Sequence, residues 1–84
     1  MRDESKVNFE IIRNNFASGE PSRVVEIVRG RAAAERAVEK HDRRLTQAER
    51  EAGWGHFLQK TGLKPGTDPK LATRIRMMES SRRR

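Results

Sequence analysis

Arg23-Val24-Val25-Glu26-Ile27-Val28-Arg29 is the stretch on which the fold turns. Four of its seven residues are β-branched, which suits a short strand. Taken together with residues 30–41, it becomes the first half of a helix. Ala32, Ala33, Ala34, Ala37 and Val38 alternate with Glu35, Arg36, Glu39 and Lys40, a strongly helical composition with i,i+4 charge pairs for a solvated face. Pro21 can open a helix, and Gly30 is a tolerable kink at about 1 kcal/mol relative to alanine. The favoured reading is therefore one helix over about 21–41, bent at Gly30. A strand over 23–29 is the alternative.

Working outward, the helical period recurs. Phe9, Ile12 and Phe16 fall at spacings of three and four, and Val7 and Ile11 widen the same face, so a first helix is expected from about Glu4 to Phe16. Ser18-Gly19-Glu20-Pro21 ends it. Downstream, Thr46-Gln47-Ala48-Glu49 has the form of a capping box. Thr61-Gly62-Leu63 fits a helix stop with Gly62 at positive φ and Leu63 folded back on Leu58. A third helix is thus expected over about 47–60, paired with the second as an antiparallel hairpin. Asp68-Pro69 opens a fourth, to about Ser80, with Leu71, Ile75 and Met78 as its inward stripe. The expected fold is all-α, a small bundle of three to four helices built on that hairpin. A basic C-terminal helix and tail complete it.

Eighty-four residues make one small domain, with residues 1–6 and 81–84 expected to be flexible. Apolar residues are 33% and charged residues 37% of the chain, so the core must be small and closely packed. The absence of cysteine excludes disulfides, thiolate chemistry and Cys-based zinc sites. His41 and His56 lack the close spacing of a local metal pair, and no cofactor is expected. No apolar run is long enough to span a bilayer, and Glu10 interrupts any signal-peptide core. The expectation is a cytoplasmic protein with no membrane association.

The charge is one-sided. Residues 1–42 carry eight cations and eight anions; residues 43–84 carry eleven and four, which accounts for the net +7. A one-sided cationic field attracts polyanions. Lys60, Lys64, Lys70, Arg74, Arg76, Arg82, Arg83 and Arg84 are the candidate phosphate contacts, with DNA or RNA as ligand. The segment has no aromatic residue, so base stacking is not expected from it. No nucleophile elbow, P-loop or dinucleotide fingerprint is present, and the chain reads as a non-enzyme.

A second candidate surface is apolar. Gly53-Trp54-Gly55-His56-Phe57 would place two glycines in a helix at about 2 kcal/mol. One explanation is a bare backbone that lets a partner approach Trp54 as an anchor and His56 as a polar contact. Phe9, Ile12 and Phe16 would be a docking stripe if their helix did not close the core. The alternative function is accordingly a protein-binding adaptor or inhibitor on an acidic partner surface. Self-association is a further option.

Overall fold

A computed structural model describes residues 4–82. It shows an α+β fold, not a helical bundle. After a 3-10 turn at Glu4–Lys6 come β1 (Asn8–Asn15), β2 (Arg23–Arg29), α1 (Arg31–Arg43), α2 (Gln47–Glu51), β3 (Trp54–Thr61) and α3 (Pro69–Arg82). The strands form one antiparallel sheet in the order β2-β1-β3.

Three expected helices are overturned, each for a physical reason. The first is β1. As the central strand it is covered on both faces, so Phe9, Glu10, Ile11 and Ile12 are consecutively buried. A strand buried on both sides loses its apolar–polar alternation, and the spacing of Phe9, Ile12 and Phe16 then imitates a helix. The second helix begins only at Arg31, and the β-branched run before it is β2. A β-bulge blurs its period: Ile11 pairs with Glu26 but Ile12 pairs with Val24, leaving Val25 as the extra residue. Gly30 stands between the two elements at φ 93°, and its amide donates to the Val7 carbonyl, so it ends the ladder rather than kinking a helix.

The third helix is real for one turn and a half. The capping box is present, with the Thr46 hydroxyl accepting from the Glu49 amide and the Glu49 carboxylate from the Thr46 amide. Gly53 then stops it at φ 98°. A Cβ there would lie 2.6 Å from Ala17 Cβ and 2.8 Å from Asn15 Oδ1, so both conformation and space require glycine. The chain continues as β3. Gly62 is not at positive φ. Leu58 and Leu63 pack in different clusters rather than on each other. The expected antiparallel helical hairpin therefore does not exist.

The sheet separates two small cores. Phe9 and Ile11 project onto α1, where Ala34 and Ala37 let the helix approach closely, with Val25, Val28 and Leu58 around them. Ile12, Val24 and Ile27 project the other way, onto Ala72 of α3. The fourth helix is where it was expected but rotated. Ala72 is its buried residue; of the expected inward stripe Leu71, Ile75 and Met78, Ile75 is half-buried while Leu71 and Met78 are exposed.

Candidate functional site

Under α1 the sheet ends in a polar network. Asp42 Oδ1 lies 2.7 Å from His56 Nδ1 and Glu26 Oε1 lies 2.9 Å from His41 Nε2, with the two imidazole rings 5.3 Å apart. The His56 side chain is only 3% exposed, which leaves it little surface to offer a partner. Next to His56 across the strands, Arg13 donates to Glu49 at 2.9 Å and lies 4.3 Å from the centre of the Trp54 ring. Trp54 is half-buried beneath that guanidinium. Hydrogen bonds from His41 and Lys40 outweigh burial and hold Glu26 below the usual carboxylate range. The Thr46 amide and Arg13 do the same for Glu49. Among the described residues no buried side-chain polar atom lacks a partner, and no group of His, Asp and Glu could hold a metal ion. Glu26, His41, Asp42, His56, Arg13 and Glu49 thus pair with one another and hold the elements together.

The cations expected to bind phosphate differ in how far they are engaged within the molecule. Lys60 is engaged: its Nζ lies 2.9 Å from Glu4, which also accepts from Arg31. The hydrogen bond with Arg31, then that with Lys60, hold Glu4 down to about 2. Arg76 is half-engaged, donating to the Gln59 side-chain carbonyl at 2.7 Å and standing 5.8 Å from the Phe57 ring centre. Lys64, Lys70 and Arg74 are exposed, and among the described residues none has a carboxylate within 4.0 Å of its side-chain nitrogens. Lys64 sits in the turn before α3. Lys70 and Arg74 follow one another by one helical turn and so share a face. Arg82 ends α3, and Arg83 and Arg84 lie outside the described residues.

Charge order along the chain could not have found one addition, Arg23. It stands with Lys70, Pro69 and Thr73 around a groove of about 410 Å³, between the start of β2 and the first turns of α3. The Thr73 hydroxyl holds the two elements together by accepting from the Val24 amide at 2.9 Å. Arg23 belongs to the charge-balanced half of the sequence, and only the fold carries it to the basic half.

The apolar candidates scatter. Phe9 and Ile12 are fully buried in different cores and present nothing to a partner. Phe16, beyond the end of β1, is 64% exposed. No protein-family model, curated protein or solved structure matches the chain. No helix among the described residues is long and apolar enough to cross a membrane.

Proposed function

We propose that the chain is a small non-enzymatic accessory protein, cytoplasmic, that binds DNA or RNA by its phosphates. The observation that carries this reading is the state of Lys64, Lys70 and Arg74. An exposed cation with no internal acid partner keeps its full charge for an external anion, whereas Lys60 is already paired with Glu4, which it shares with Arg31. Arg23, at the start of β2, borders the same groove as Lys70. Each phosphate bound displaces condensed counterions, so binding weakens steeply with salt. The test is titration of duplex with wild type and with Lys64→Ala/Lys70→Ala/Arg74→Ala across salt concentrations. The variant keeps its circular dichroism and its log–log salt slope is shallower by about 0.9 per lost phosphate contact. An unchanged slope, or no binding by wild type at low salt, ends this reading.

A second reading has its own observation. Leu71 and Met78 are 48% and 51% exposed on α3, beside Lys70 and Arg74. An apolar helix face flanked by cations suits an acidic protein surface. On this reading α3, rather than Trp54 beneath Arg13, supplies the anchor. Leu71→Gln/Met78→Gln then abolishes capture of a partner from nuclease-treated lysate while leaving duplex binding unaltered; capture that is unaffected removes it.

A further inference from the structure

The sheet face beneath α3 is only half covered, and the uncovered half is aromatic. α3 packs chiefly against β2. Toward β3, the same face carries Phe57 and Gln59, which pair with Ile12 and Glu10 across the ladder, and Gly55, which pairs with Asn14. Gln59 is exposed and Phe57 half-buried. Phe16 lies over this surface. Its ring meets Phe57 edge-on, with centroids 6.2 Å apart and planes at 63°. A Cβ on Gly55 would come within 3.0 Å of Phe16 Cε2, so the missing side chain is what lets the ring settle on the strand. Arg76 borders the pair, tethered by Gln59 and placed over the Phe57 ring.

This arrangement differs from ordinary core aromatics. The Phe16 ring rests on bare backbone at one side and turns most of its surface outward. A domain with so few large apolar residues leaves one of its three phenylalanines exposed at a fixed position. What fits a fixed exposed ring beside a guanidinium is a flat π-face attached to a negative charge. A nucleotide is both. A second copy of this chain is disfavoured there, because each carries a net charge of +7.

We propose that Phe16, with Phe57 beside it and Arg76 at the rim, stacks a nucleobase of a single strand, whose phosphates continue toward Arg74 and Lys70. The proposal rests on the phosphate-binding reading and adds to it a preference for unpaired nucleic acid, since a base inside a duplex has no free face to offer. It also supplies the aromatic residues that the basic segment lacks in sequence, from the strands β3 and the end of β1.

The test is fluorescence anisotropy at low salt with three labelled probes of about 12 residues: oligothymidylate, the abasic strand of equal charge, and a duplex. Wild type prefers oligothymidylate to the abasic strand by about tenfold. Phe16→Leu keeps an apolar cover on Gly55 but offers no π-face; it binds the two strands equally, with its duplex affinity and circular dichroism unchanged. Phe16→Tyr retains the preference. Equal binding of both strands by wild type, with duplex binding intact, overturns base stacking and leaves the phosphate reading standing. Failure to bind any of the three probes removes both. A dimer in sedimentation that Phe16→Leu dissolves overturns the proposal by showing that a second copy covers the ring.

Discussion

The two faces of the sheet are built from the same strands and treated differently. On the α1 face, apolar side chains meet the alanines of a thirteen-residue helix, and the polar margin closes through Glu26, His41, Asp42, His56, Arg13 and Glu49. On the α3 face, Ala72 is the only fully buried side chain the helix provides among the described residues, Phe16 is exposed, and the side chains of Lys70 and Arg74 form no ion pair among the described residues. A sheet of three strands does not need two complete cores to fold; one closed face and a partial second suffice when the central strand is buried on both. The closed face accounts for stability. The half-open face is where surface remains for something else.

That contrast can be broken most forcefully from the closed face. Phe9→Ala leaves a cavity between β1 and α1, and such truncations cost about 3–5 kcal/mol. In a domain with a thin stability margin the variant is expected to be largely unfolded by circular dichroism; a cooperative melt close to that of wild type would show that the α1 core is not the dominant one. Gly53→Ala attacks the joint between α2 and β3. Positive φ and the 2.6 Å approach to Ala17 together predict a loss on the order of 2 kcal/mol in denaturant melts. A neutral outcome would mean the joint can relax freely.

The faces also titrate in opposite senses. Glu26 and Glu49 on the α1 side, and Glu4 in the turn leading to it, are lowered by their cationic and amide partners. The unfolded chain therefore binds more protons than the folded one over that range. Stability present above pH 4.5 is lost as the pH falls through each folded value, the lowest being about 2 for Glu4. Melting temperatures recorded down this window should fall, and the fall should shrink in Glu26→Gln. Glu10, on the α3 side, is raised because burial disfavours its charge, with the Thr61 hydroxyl bond only partly offsetting it. Here the folded chain holds the proton longer, so its ionisation costs stability as the pH rises above 4.5. Glu10→Gln keeps an acceptor for Thr61 and is expected to gain about 0.5–1 kcal/mol at neutral pH. A loss there would mean the carboxylate charge is used by Arg76. Smallest of all, Leu71→Gln on the exposed side of α3 should change stability by no more than about 0.5 kcal/mol, and a larger loss would place Leu71 in a core.

The legibility of the sequence follows the range of the forces. Signals contained within a few residues agree with the structure: the Thr46–Glu49 box, the alanine-rich helix, and the Asp68-Pro69 start, where Asp68 Oδ1 accepts from the Lys70 amide. The glycines of Gly53-Trp54-Gly55 stand out as an anomaly in a helix, but their cause, a left-handed stop and a strand under an aromatic ring, depends on Asn15, Ala17 and Phe16 from the other end of the chain. β1 is unreadable because its neighbours on both faces come from elements the alternation rule cannot see. The candidate site is half visible. Lys64, Lys70 and Arg74 stand in sequence order as a basic run, whereas Arg23 and Phe16 join them only through strand pairing and helix docking.

By itself, then, the sequence determined a small cysteine-free chain with its positive charge in one half, and the position of every helix start whose cap lies within the same turn. The tertiary structure alone decided that three apolar stretches are strands, which way α3 faces, and which cations are left unpaired. Strand pairing and ion pairing join residues distant in the chain, so their energies appear only once the chain has folded, whereas a helix cap is complete within four residues.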